Sequence, residues 1–190
     1  MKKRLYLMRH GETLFNQQHK IQGWCDSPLT ELGKRQALAA KIYFEDNGIH
    51  FDHAYCSTSE RCSDTLEIIT DMPYIRLKGL KENYYGQLEG ESDRLANNDP
   101  KECETYYLQF GGESSNTTRL RMVHTLSDIM ENDDHYQVLA GSHGGACFNF
   151  LKHWQDPMEE LKKGLGNCCI FIYEYENKKF TLIDVIRHKI

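Results

Sequence analysis

The chain has 190 residues, 39% of them apolar and 27% charged, which suits one domain whose core needs no covalent staples. A net charge of −5 argues against a nucleic-acid partner, since such proteins carry a basic surface excess. Seven cysteines, an odd number with no Cys-x-x-Cys, speak against a disulfide framework and for small core residues in a reducing, cytoplasmic compartment.

Residues 1–4 have the charge of a signal-peptide start, but the apolar run at 5–8 is too short for its core. No run approaches a membrane span, so no membrane partner is expected. Residues 5–8 read instead as a buried strand ending at Arg9-His10-Gly11. Thr30 is a candidate N-cap with Glu31 in the first turn. Leu32, Ala39, Ile42 and Tyr43 follow at helical spacing as far as Asn47-Gly48. A second strand is predicted at 54–57, a helix at 60–70 and a third strand at 74–77, after Pro73. The segment 79–112 is loop-like, rich in Gly with Pro100, and carries a predicted short helix at 101–108. Ser114 or Ser115 caps a long helix to Glu131, with Met122, Leu126, Ile129 and Met130 on one face. A fourth strand at 136–140 ends in Gly141-Ser142-His143-Gly144-Gly145, followed by a helix to Trp154. Two strands, at 169–175 and 180–187, flank the turn Glu176-Asn-Lys-Lys179.

Strands alternating with helices predict an α/β fold, a three-layer α/β/α sandwich around a mostly parallel sheet. Ligands of such sheets bind beyond the carboxyl ends of the strands. Arg9-His10, the stretch from Ser57 to Arg61, and Ser142-His143 all fall at that edge. Phosphoryl transfer needs an in-line nucleophile and cations around the equatorial oxygens. A neutral imidazole is nucleophilic near pH 7, and arginine grips two oxygens at once. His10 with Arg9 supplies both, and Arg61 and His143 add basic groups at neighbouring strand ends.

These residues resemble the histidine phosphatase superfamily, in the branch that holds cofactor-dependent phosphoglycerate mutase and related phosphatases. The resemblance starts at Leu5-Tyr-Leu-Met-Arg-His-Gly-Glu-Thr13 with Asn16. It continues through Gln22-Gly23, Asp26-Ser-Pro-Leu-Thr30, Leu32-Gly33 and Gln36-Ala37. Ser57, Arg61, Thr65, Glu82, Gly86, Glu89-Gly90, Gly111-Gly-Glu-Ser114 and Ser142-His-Gly-Gly145 follow in family order. It implies a phosphoglycerate mutase-like fold over 1–190, with an antiparallel edge strand and a lid-like insertion at about 83–112. It further implies that His10 is transiently phosphorylated and that Arg9, Arg61, His143 and Gly144 bind the phosphate. Asn16, Gln22 and Gly23 become further phosphate or pocket contacts, and Glu82 the proton donor. The substrate implied is a small phosphate ester, turned over with no metal or cofactor, and a homodimer is compatible with the family.

Some positions depart from the family pattern. Ser59, Cys62 and Leu66 replace common residues around Arg61 and are expected to affect packing more than chemistry. Asn83 stands where mutases often carry an arginine, and the mutases' Arg-Arg pair before Gly-Gly-Glu has no counterpart. Residues 91–110 hold five acids against Arg94 and Lys101. A mutase must hold a second anionic group, so a phosphatase is preferred, with phosphoglycerate mutase and a non-catalytic phosphate-binding module as alternatives. Tyr84, Tyr85, Tyr106, Tyr107 and Phe110 either line an apolar-tolerant pocket or pack the loop. Three rival motifs carry less weight: Cys56 to Arg61 as a shortened cysteine-phosphatase loop, Ser142 with Asp184 and His188 as a nucleophile elbow, and His50-x-x-His53-x-x-Cys56 as a metal site.

Overall fold

A computed structural model describes residues 2–97, 99 and 102–188. Met1, Pro100 and the expected start of the short helix at Lys101 lie outside the described residues.

The apolar run after the N-terminal basic residues forms β1, Lys3–Arg9, with Leu5 and Leu7 facing one side of the sheet and Tyr6 and Met8 the other. This alternation requires cover on both faces, and the helices provide it. β2 (His53–Ser57), β3 (Tyr74–Leu77), β4 (Gln137–Ser142), β5 (Ile170–Glu176) and β6 (Lys179–Ile186) complete the sheet in the order β3-β2-β4-β1-β5-β6. The pairings from β3 to β1 are parallel, while β5 runs against both β1 and β6. The antiparallel part is thus an edge hairpin, turned by Asn177 and Lys178, both at positive φ. Two such residues give the turn whose twist matches the flanking strands.

α2 (Glu31–Asp46) starts where Thr30 accepts a hydrogen bond from the Gly33 N–H, and α3 is Glu60–Ile69. Ala37, Ala40, Phe44, Cys62, Leu66 and Ile69 pack these two helices onto one sheet face. Cys62 and Leu66 therefore do belong to packing. α5 (Ser115–Glu131), capped by Ser114, and α6 (Gly144–Trp154) cover the other face through Met122, Leu126, Met130, Phe150 and Leu151. Among the described residues there are also three short helices: α1 (Leu14–Gln17), α4 (Cys103–Tyr106) and α7 (Met158–Lys162). α1 and α7 are too short to leave a periodic apolar signal, and no helix is long and apolar enough to cross a membrane among the described residues.

Between 83 and 112 the chain makes 3-10 turns at Gly86–Leu88, Asp93–Leu95 and Tyr107–Phe110, the last ended by Gly111 at φ +74°. Leu88, Tyr107, Tyr85, Tyr106 and Phe110 gather with Ile21 into a small apolar cluster of their own. Tyr84 instead packs on Trp24, with ring centroids 5.0 Å apart. α2 leaves β1 over one sheet face and α6 leaves the adjacent β4 over the other. Their connections diverge at the carboxyl ends of these two strands, which opens a crevice there.

Candidate active site

His10 follows β1 at this crevice and is buried. Its backbone N–H donates to the Ser142 carbonyl (3.1 Å), and its carbonyl accepts from Cys168 N (3.2 Å) and Asn167 Nδ2 (3.1 Å). Nδ1 lies 2.7 Å from the Gly11 carbonyl, which can only accept, so Nδ1 carries the proton and Nε2 the lone pair. Arg61 Nε–H donates to that Nε2 at 3.2 Å. Burial, then the charges of Arg61 and Arg9, hold the His10 pKa well below the usual histidine value. The ring is neutral at pH 7 and nucleophilic at Nε2.

Arg61 is fully buried in the first turn of α3. Its other N–H groups donate to Cys25 O (2.9 Å), Asp26 Oδ1 (2.9 Å), Gly23 O (2.7 Å) and His143 Nδ1 (2.8 Å). With His10, that uses every direction of the guanidinium fork. His143, at the head of α6, therefore accepts at Nδ1 and donates from Nε2 to Ser57 Oγ at 2.8 Å. Burial and the Arg61 charge hold its pKa well below the usual value. Two neutral imidazoles thus flank one buried cation, whose counter-ion is Asp26.

A cavity of about 630 Å³ opens over this layer. Arg9, His10, Asn16, Gln22, Glu82 and Gly144 line it; Gly23, Arg61 and His143 do not, and Arg61 joins the other two to His10 by hydrogen bonds. Arg9 Nη1 donates to Leu165 O at 2.8 Å, and its buried Nε–H has no acceptor among the described residues. Asn16 accepts at Oδ1 from Thr13 N and Asn167 Nδ2, both at 3.2 Å. Gln22 is fixed between Thr13 Oγ1 (2.7 Å) and Ser27 Oγ (2.8 Å).

Glu82 is buried on the same cavity. Its Oε1 accepts from Asn83 N and its Oε2 from Gly145 N, each at 2.8 Å. Burial raises its pKa, while these two N–H groups and the charges of Arg61 and Arg9 pull it back down. A methyl group on Gly145 would stand 2.7 Å from Glu82 Oε1, so the carboxyl lies on bare backbone at the start of α6.

Other residues without an assigned role from sequence shape the wall. Glu89 accepts from four backbone N–H groups, those of Gly23, Trp24, Cys25 and Tyr85, at 2.9–3.1 Å. It ties the loop gripped by Arg61 to the segment beyond Glu82. Glu89 and Asp26 both lie inside recognised motifs, which was the available signal; Asn167, remote in sequence, offered none. Of the aromatics between 84 and 110, Tyr85 and Tyr107 reach the cavity, while Tyr106 and Phe110 pack the apolar cluster. Asn83 is buried and accepts from Thr118 Oγ1 at 2.6 Å.

The rival motifs dissolve in this geometry. Cys56 is buried in the core, with its thiol pushed up to about 12 by burial, so it offers no thiolate. Ser142 Oγ donates to Leu80 O at 2.8 Å, and His188 instead packs beside Tyr43. His53 meets Asp134 and His135 rather than His50 and Cys56.

The chain matches the histidine phosphatase superfamily (branch 1) over residues 5–186. It spans about two fifths of the length of several bacterial 2,3-bisphosphoglycerate-dependent phosphoglycerate mutases, 38% for that of Bacteroides fragilis at 36% identity. The corresponding mutase of Lachnoclostridium phytofermentans is 36% identical over 92% of this chain and 87% of its own. A broad-specificity phosphatase of Saccharomyces cerevisiae is 29% identical over 97% of this chain and 80% of its own. Among solved structures, a phosphoserine phosphatase of Entamoeba histolytica in complex with 3-phosphoglyceric acid superposes with a TM-score of 0.79 at 25% identity, covering 98% of each chain.

Proposed function

The chain belongs to the histidine phosphatase superfamily, and from that premise we propose that it is a phosphomonoester hydrolase working through a phosphohistidine at His10 on a small phosphorylated metabolite. One observation carries the reading. A neutral His10, with its lone pair fixed on Nε2, shares a cavity with a buried carboxyl group of raised pKa, Glu82. A neutral nucleophile and a carboxyl shifted toward its protonated form are the pair that this chemistry needs.

In the first step Nε2 attacks phosphorus, and the bond to the leaving oxygen breaks as that oxygen takes the Glu82 proton. In the second, the Glu82 carboxylate takes a proton from water, the water oxygen attacks phosphorus, and the Nε2–P bond breaks. Release of inorganic phosphate leaves His10 neutral and Glu82 protonated. When Nε2 bonds to phosphorus, the Arg61 Nε–H loses its acceptor and turns to a phosphate oxygen. Arg9 Nε–H and the positive end of α6 at Gly144 face the same group. Arg61, bonded to His10 Nε2 and braced by His143 and Gly23, places His10 and stabilises the transferred charge, while Gln22 and Asn16 shape the wall.

Phosphatase is preferred over mutase because few cations line the cavity besides Arg9, with Lys20 turned over the Phe15 ring. Lys152, on its wall, is already paired with Glu104 of the acidic segment at 2.9 Å, and neutral Asn83 lies beside Glu82. No step draws on a metal or cofactor, and the seven free cysteines suit a reducing cytoplasm. The test is a panel of phosphomonoesters assayed for phosphate release in EDTA, with 3-phosphoglycerate isomerisation measured beside it. Phosphate release from several esters is expected. Isomerisation without net release would replace the hydrolase with the mutase.

A further inference from the structure

We propose that His53, Asp134 and His135 form a second, non-catalytic site for a divalent transition-metal ion of the Zn²⁺ class.

The three residues meet because of the sheet. His53 opens β2, while Asp134 and His135 lie in the turn that leads through Tyr136 into β4, and these strands pair in parallel with His53 opposite Val138. The Asp52 carboxylate accepts from the N–H groups of Tyr136 and Gln137, both at 2.8 Å, and so ties the turn before β4 to the start of β2. On this fixed base the rings of His53 and His135 stack 3.6 Å apart and 7° from parallel. Asp134 spans them: His53 Nε2 is 3.2 Å from its Oδ2, and His135 Nδ1 is 2.7 Å from its Oδ1.

One donor atom from each residue lies within 4.8 Å of the other two. Donors on a tetrahedral Zn²⁺, bonded at about 2.0–2.2 Å, stand roughly 3.3–3.6 Å apart. Torsion of two side chains that remain open to solvent, Asp134 at 73% exposed and His53 at 33%, closes that difference and turns the His53 ring out of the stack, so that the two in-plane lone pairs converge. The third ligand is held more firmly. His135 is buried, and its Nε2 lies 2.7 Å from the Tyr55 hydroxyl. Histidines that ligate metals give their other ring N–H to such a partner. As the ion takes Nδ1, the ring proton moves to Nε2 and is donated to the Tyr55 oxygen.

Two imidazoles and one carboxylate leave a fourth position for solvent. Nitrogen donors select Zn²⁺, Ni²⁺ or Co²⁺ over Mg²⁺ and Ca²⁺, which favour all-oxygen shells. The site lies at the opposite end of β2 from Ser57, the residue that holds His143; the two are four positions apart, about 13 Å at the rise of a strand. An ion there clips two strand starts together and takes no part in chemistry at His10.

The test is calorimetric titration of Zn²⁺, and separately Mg²⁺, into chelator-stripped wild type, His53→Ala and Asp134→Ala. Each variant is expected to lose one Zn²⁺ per chain, or to bind it more than about tenfold more weakly. Zn²⁺ should raise the wild-type Tm and leave the variants' Tm unmoved. Phosphate release without added metal should be unchanged in both variants, which reports an intact fold. The proposal is overturned if wild type binds no Zn²⁺, if the variants match wild type in stoichiometry and affinity, or if Mg²⁺ binds wild type as tightly as Zn²⁺.

Discussion

Gly145→Ala is the substitution that isolates Glu82 without altering it. The added methyl would stand 2.7 Å from Oε1 and 3.2 Å from Oε2. To reach ordinary contact at 3.4 Å, the carboxyl must retreat by about 0.7 Å. If the whole carboxyl moves that far, the 2.8 Å hydrogen bond from Gly145 N to Oε2 lengthens to as much as about 3.5 Å, past the usual range. At a pH where Glu82 is ionised, a hydrogen bond to it contributes about 1.5–3 kcal/mol. Alanine within a helix returns up to about 1 kcal/mol over glycine. The net cost to stability there is therefore about 0.5–3 kcal/mol, a fall in Tm of about 1–12 °C for a chain of this size. Catalysis should suffer more selectively, since displacing a reacting group by about 1 Å costs on the order of 10²-fold. The loss should fall on kcat/KM for alkyl phosphates, whose poor leaving groups need a proton in the transition state. An aryl phosphate with a good leaving group should keep most of its rate. The bond from Gly145 also holds the Glu82 pKa down, so the alkaline limb of the alkyl-ester pH profile should move upward. Steady-state kinetics on an alkyl and an aryl ester across pH read all of this. Equal losses on both esters, or no loss on either, would refute the placement of Glu82 as the acid.

Wild-type kcat/KM for an alkyl ester should trace a bell. Its acid limb falls as His10 protonates below about 6.5, and its alkaline limb falls as Glu82 ionises above the ordinary carboxyl range; a rate still rising past pH 9 would contradict this pairing. Stability should respond oppositely for the two kinds of group. The depressed values of His10 and His143 give a contribution present above about pH 6.5 and lost as pH falls through their folded-state values. The raised value of Glu82 gives one lost as pH rises through its own. Urea midpoints should accordingly drop between pH 7 and pH 5, and by less in His143→Gln. Arg61→Ala leaves the acceptors of five N–H contacts buried without their donor and should cost about 3–5 kcal/mol in urea unfolding. A cost under about 1 kcal/mol would mean that this layer does not hold the site.

The parts of the fold legible in the sequence are those with local causes. The Leu5-to-Met8 run had to be a doubly covered strand, and Thr30 and Ser114 mark the helix starts that the structure shows. His10, Arg9, Arg61 and His143 were legible as basic groups at successive strand ends. Their division into a cavity wall and a layer behind it was not, because it depends on how one guanidinium distributes its five N–H groups over partners distant in sequence. Glu82 was visible only through its likeness to a family motif. Its burial and its rest on Gly145 are tertiary facts, as is the clasp of Glu89 on four backbone N–H groups. The aromatics of the 83–112 segment were ambiguous for a physical reason. Tyr85 and Tyr107 are both packed and cavity-facing, so the two readings were never exclusive.

Trapping the covalent intermediate tests the central claim most directly. Wild-type protein mixed with a ³²P-labelled aryl phosphate and quenched in alkali within one turnover should carry label that is stable to base, released by acid and confined to the peptide bearing His10. His10→Ala should fold, bind phosphate and carry no label. Label on another residue, or full turnover by His10→Ala, would contradict the account.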